Sequence, residues 1–212
     1  MSKMKELNNY IIALVNLYGL VHRDRVMEIY NSQNKIKVSK TDLDTYFDIP
    51  KRLLEENFIA VYKDYFVDTS FLEVEKFDMM LEEKSDKPYY VPEKDELLKY
   101  AKGIYYEKNK EYQALVDYIG INFFPDDPKT ASNLAEEVQM ISQITFNIQL
   151  IMDSFNEKGI VFKSVEQANE LANLVMNVAN NVRLWKNNGY TSRELSEILD
   201  NYKYDYSDIV HK

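Results

Sequence analysis

Residues 39–68, "SKTDLDTYFDIPKRLLEENFIAVYKDYFVD", constrain the fold more than any other stretch. Ser39 is placed to cap a short helix running to about Phe47, because its hydroxyl can accept from a free N–H of the first turn. Asp48 can cap another, with Pro50 tolerated where no intrahelical N–H is needed. Leu53, Leu54 and Phe58 are then expected to point inward. "FIAVY" and "YFV" are aromatic, β-branched runs on either side of "KD", which reads as a short hairpin. Upstream, Leu7, Tyr10, Ile11, Leu14, Val15 and Tyr18 recur at the three-and-four spacing of one buried helical face over 4–18. Gly19 is a natural stop. A second helix over 23–33 turns Val26, Ile29 and Tyr30 inward. Successive helices followed by a hairpin describe a winged-helix-like region, with the hairpin as the wing.

The rest of the chain reads as helical. Only five glycines and five prolines occur in 212 residues, which favours long helices over tight turns. Residues 71–84 form an acid-rich helix. "SDKPYYVPEKDE" interrupts the pattern with two prolines around a pair of tyrosines, an extended connector. Pro92, followed by Glu93, Asp95 and Glu96, starts the next helix with acids at its positive end. Further segments fall near 93–108, 110–122, 130–157 (broken once), 164–186 and 191–200. The expected organisation is a winged-helix-like domain over 1–85, a proline-containing connector over 86–92, a helical C-terminal domain over 93–200, and a frayed tail over 201–212. The fold class is mainly α with one short β-hairpin.

Within the last helices, Leu171, Leu174, Val175, Val178, Val182 and Trp185 are spaced as one apolar face. Trp185, the single tryptophan, is therefore expected in the core near a helix end. Gly189 is a left-handed stop, and Thr191 with Glu194 has the capping-box spacing. Arg183, Trp185, Gly189, Thr191 and Glu194 together read as a structural anchor. Asn169, Asn173, Asn177 and Asn181 recur every four residues as a polar stripe. Asparagine is a poor helix former. The stripe is either a solvated face or a candidate interaction surface.

Chemistry-bearing motifs are absent. Without cysteine there is no disulfide, thiolate metal site or thiol nucleophile, and a reducing cytoplasm suits the composition. His22 and His211 stand in no metal-ligand spacing; His22 is expected to pack or cap in the turn before the second helix. Asp126 and Asp127 of "PDDP" read as a turn before a helix, and Asp42 and Asp44 as acids at a helix start. No glycine-rich phosphate loop, nucleophile elbow or zinc-helix motif is present. Neither a cofactor nor a metal is implied, and an enzyme would have to be built from scattered carboxylates. Lys3 and Lys5 before an apolar run loosely mimic an export signal. Asn16 interrupts that run and no cleavage site follows, so a cytoplasmic location without a membrane span is expected.

Charge separates two binding classes. The chain carries net −9, of which residues 71–142 hold −7, while residues 1–70 are balanced. An acidic middle repels phosphate backbones. Lys35, Lys37, Lys40, Lys51, Arg52 and Lys63 nevertheless lie around the reading helix and wing. Lys40, Lys51, Arg52 and Lys63 are the candidate nucleic-acid contacts, with DNA reached through 35–63. Glu55 and Glu56 follow at once, and folds of this kind also bind proteins. The preferred expectation is a non-catalytic, protein-binding or regulatory module whose partner is another protein or a second copy. A winged-helix DNA-binding regulator is the alternative.

Three stretches, "YIIALVNLYGLVHRDRVMEIYN" at 10–31, "KPYYVPEKDELLKYA" at 87–101 and "NNVRLWKNNGYTSREL" at 180–195, resemble bacterial proteins of unassigned role that carry a SecA-like C-terminal zinc motif (SEC-C proteins). The resemblance implies a cytoplasmic helical protein in which Arg183, Trp185, Gly189, Thr191 and Glu194 form a shared structural unit. The zinc motif itself needs clustered cysteines, so no zinc site carries over.

Overall fold

A computed structural model describes residues 2–48, 52–103, 105–144 and 146–200. Lys51 and the expected tail over 201–212 lie outside them. The first elements are α1 (Lys3–Tyr18), β1 (Leu20–His22), α2 (Arg23–Gln33), α3 (Lys40–Asp48), α4 (Arg52–Glu55), β2 (Ile59–Tyr62) and β3 (Tyr65–Asp68). Helices α2 to α4 thus lie between β1 and the β2–β3 hairpin, and the antiparallel sheet has the order β1-β3-β2. This is a winged-helix-like arrangement. β1 has no counterpart in the sequence reading, because three residues entering a helix show no alternation and their pairing partner is Tyr65–Val67.

Local chemistry explains the boundaries. Ser39 and Asp42 cap α3 reciprocally: Ser39 N–H donates to Asp42 Oδ2 at 2.8 Å, and Asp42 N–H to Ser39 Oγ at 3.4 Å. His22 caps α2, its Nδ1 accepting from Asp24 N–H at 3.2 Å. The sheet separates two apolar layers. Val21, Ile59 and Phe66 face the large core built on α1 with Tyr10, Ile11, Leu14 and Tyr30. Leu20, Val67 and Ala60 face a smaller cluster with Phe71, Phe77, Met80 and Trp185. Phe77 and Met80 lie on α5 (Val74–Lys84), which is followed by α6 (Lys94–Leu97) and a 3-10 turn over Leu98–Ala101.

The helix expected over 93–108 therefore stops at Ala101. Gly103 has φ +92, a backbone conformation that ends regular helix.

The remaining helices are α7 (Lys110–Phe123), α8 (Pro128–Ile144), α9 (Ile148–Glu157), α10 (Val165–Asn180) and a helical stretch over 192–200. Asn109, Asn147 and Ser164 cap α7, α9 and α10 through their side-chain oxygens. Asp127 accepts from Thr130 N–H and Oγ1–H at 3.1 and 2.6 Å at the start of α8, which accounts for "PDDP". Leu115, Ile119, Leu134, Val138, Ile151, Phe155, Leu171 and Val175 form their core.

The chain divides into two compact units. Unit 1 comprises Met1–Tyr105 and Trp185–Gly189; unit 2 comprises Tyr106–Leu184 and Tyr190–Lys212. The division falls later than the boundary expected at 86–92, and that connector lies inside unit 1. The reason is packing: Tyr100 and Leu97 belong to the α1 core. A second difference concerns Trp185. It was expected on the face shared by Leu171 to Val182, yet α10 ends at Asn180 and Trp185 lies in a separate 3-10 turn, Trp185–Asn187. Its ring belongs to the apolar cluster of unit 1.

Candidate functional site

The segment between α3 and the hairpin builds the most distinctive surface of unit 1. α4 lasts a single turn, and the chain leaves it through Phe58 at φ +56, with Phe58 N–H donating to Glu55 O at 3.0 Å. Bulky side chains rarely adopt this left-handed conformation. The short helix breaks the spacing that was expected to bury Leu53, Leu54 and Phe58 together. Only Leu54 is buried; Leu53 is 37% and Phe58 71% exposed. An open, mainly apolar cleft of about 400 Å³ follows, lined by Tyr46, Leu54, Glu55, Ile59, Val61 and Leu72 among others. Glu55 is the charged member of that lining.

The hydrogen-bond parity of β2 adds to this. Phe58 O accepts from Thr69 N–H, and Tyr62 pairs with Tyr65 across the two-residue turn. Residues 58, 60 and 62 therefore turn their backbone groups toward β3, and Ile59 and Val61 turn theirs away. Among the described residues nothing pairs with those outward groups. The opposite edge differs: Leu20 O of β1 accepts from Lys84 Nζ at 3.1 Å.

Of the candidate nucleic-acid contacts among the described residues, Arg52 and Lys63 are paired with carboxylates. Arg52 Nε pairs with Glu56 at 2.8 Å. Lys63 pairs with Asp78 at 3.4 Å and lies over the rings of Tyr62 and Phe77. Arg23 bridges Asp44 and Asp64. Asp42 is held at a pKa of about 2, chiefly by Lys3, with Ser39 adding to it. Lys40 is exposed on α3, and Lys51 lies outside the described residues.

The asparagine stripe lies on α10. Asn169, Asn173 and Asn177 are exposed, and Asn181, at the helix end, is half-buried. Asn181 Nδ2 donates to Asn177 O at 2.8 Å, and Asn109 Nδ2 to Asn181 O at 3.1 Å.

The anchor residues fall into two groups. In unit 2, Arg183 is buried between Glu107, at 2.9 Å, and Glu194. Thr191 and Glu194 complete a reciprocal cap: Thr191 N–H donates to Glu194 Oε2 at 3.0 Å, and Glu194 N–H to Thr191 Oγ1 at 3.1 Å. Glu107 has no sequence signal, since its partners lie far along the chain. In unit 1, the indole N–H of Trp185 donates to Asn16 O at 2.9 Å. Gly189, at φ +83, lies against the Tyr18 ring.

Lys84 is the residue that sequence reasoning could not find, because it reads as a solvated end of an acidic helix. It is 3% exposed, and its ammonium donates to Tyr18 O and Leu20 O, the carbonyls where α1 ends and β1 begins. Burial pushes its pKa down to about 7, with nearby Lys87 adding to the effect. Folding therefore opposes the charged form. That penalty is complete below about pH 7 and is relieved as pH rises toward the ordinary lysine value near 10.5. Relative to a Lys84→Met variant, the protein is expected to gain stability between about pH 7 and 10 in urea titrations. A stability gap that stays flat across this range would show that Lys84 keeps its ordinary titration.

Among the described residues no group of three His, Cys, Asp or Glu side chains could hold a metal ion, and no helix is long and apolar enough to cross a membrane. The fold and this surface define a winged-helix-like unit carried with a helical unit. No family model, curated protein or solved structure matches the chain.

Proposed function

We propose that the chain is a non-catalytic protein-binding module, and that its winged-helix-like unit works through an apolar surface instead of a phosphate-reading one. The observation that carries this is the contrast around α4. Arg52 and Lys63 are each engaged by a carboxylate, while Phe58, Leu53 and Leu72 stand exposed beside an apolar cleft. A duplex binder gains affinity by exchanging counterions for lysine and arginine. Residues 1–70 carry as many acids as bases. The resemblance to SEC-C-associated proteins implies a helical protein of unassigned role and adds no ligand set.

The test is fluorescence anisotropy of a labelled mixed-sequence duplex at low ionic strength. No binding is expected, and an Arg52→Ala, Lys63→Ala variant should behave the same. Tight binding with a steep salt slope, lost in that variant, would replace this reading with DNA regulation.

A further inference from the structure

We propose that β2 is the contact through which two copies of the chain pair, edge to edge and antiparallel, about a two-fold axis at Ala60. This rests on the protein-binding reading and names its partner as a second copy.

The backbone sets the geometry. The outward groups of Ile59 and Val61 sit two residues apart on a strand whose other side is fully used by β3. An antiparallel copy with Ala60 opposite Ala60 places Ile59 of each chain opposite Val61 of the other. Both members of each such pair present N–H and C=O, so every outward group of β2 finds a partner at once. Ala60 then falls in the closer, non-hydrogen-bonded position, where Cα atoms approach to about 4.5 Å and a small side chain fits. Ile59 and Val61 form β-branched cross-strand pairs, which favour such a ladder.

The side chains agree. Edge strands in monomeric proteins are usually protected by lysine, proline or a covering element. β2 reads Ile-Ala-Val-Tyr and has no charge or proline. The paired strands themselves therefore bring no like charges together. The β1 edge, by contrast, has Lys84 on Leu20 O. A four-residue ladder alone is smaller than the roughly 800 Å² per partner of a stable interface. Phe58 at the entrance to β2, 71% exposed, and Leu53 and Leu72 beside it supply further apolar surface. Continuing the same register brings Phe58 toward Tyr62 of the second copy. That gives a reason for a phenylalanine at φ +56, where glycine or asparagine is the ordinary choice.

The experiment is sedimentation of the full chain across the micromolar range. A reversible dimer is expected. Val61→Pro removes an N–H that β3 does not use, at an edge position where proline is tolerated. It should be monomeric with an unchanged circular dichroism spectrum. Phe58→Gly, which removes an exposed ring and suits the left-handed backbone, should stay folded and raise the dimer dissociation constant about tenfold or more. A monomer at every concentration overturns the proposal. So does a dimer that Phe58→Gly leaves unchanged, whether or not Val61→Pro folds. Duplex binding is a separate readout: a β2 dimer that binds DNA tightly would keep this contact and remove the reading it rests on.

Discussion

Trp185→Ala is expected to destabilise the protein by about 3–5 kcal/mol, the usual range for truncating a buried aromatic. The ring is 7% exposed and packs with Phe71 at 5.5 Å between centroids, in the cluster that includes Leu20, Val67 and Phe77. Its N–H donates to Asn16 O, so truncation also removes a hydrogen bond to a carbonyl in the last turns of α1. The neighbouring residues reinforce the seat. Asn188 Nδ2 donates to Lys84 O and Lys87 O, and Tyr90 N–H to Asn188 O. Lys87 Nζ donates to Lys186 O at 2.9 Å. Thr191→Ala, which removes one arm of a reciprocal cap, is expected to cost about 1 kcal/mol. Urea titrations compare the two, and a soluble quencher should barely affect the native indole. If Trp185→Ala unfolds at the native urea midpoint and the indole is freely quenched, the ring is a recognition residue instead of an anchor.

How far the sequence foretold this depends on whether the governing contacts are local. The α1 face, the Ser39 cap, the hairpin and the Thr191–Glu194 cap each involve residues within one or two turns of each other, and their spacing announces them. The expected place of Trp185 on the α10 face fails through a coincidence. Val178, Val182 and Trp185 keep helical spacing, yet the helix stops at Asn180, and the ring is seated against residues near position 19. Three-residue β1 was hidden because its pairing is with Tyr65–Val67. The candidate surface was half legible. The hairpin could be read from "FIAVYKDYFV". The open edge of β2 could not, since it depends on which backbone groups β3 uses, and the exposure of Phe58 depends on α4 ending after one turn.

Gly19→Ala is expected to cost about 2–6 kcal/mol, combining about 1–3 kcal/mol for a sparsely populated positive-φ backbone with overpacking of about 1–3 kcal/mol. Gly19 has φ +74, and an added Cβ would lie 2.7–2.9 Å from the Trp185 indole atoms Cδ2, Cε3 and Cγ. The backbone has little room to retreat. Gly19 N–H donates to Val15 O at 2.7 Å and its carbonyl accepts from Asp68 N–H at 2.8 Å, tying it to α1 on one side and β3 on the other. The indole is fixed by its own bond to Asn16 O. The two contributions separate in a double-mutant cycle. In a Trp185→Ala background the three atoms nearest the added methyl are gone, so Gly19→Ala should then cost little more than the backbone penalty of about 1–3 kcal/mol. Equal costs in both backgrounds would mean that the indole does not rest on Gly19, and that the glycine is needed for its dihedral alone.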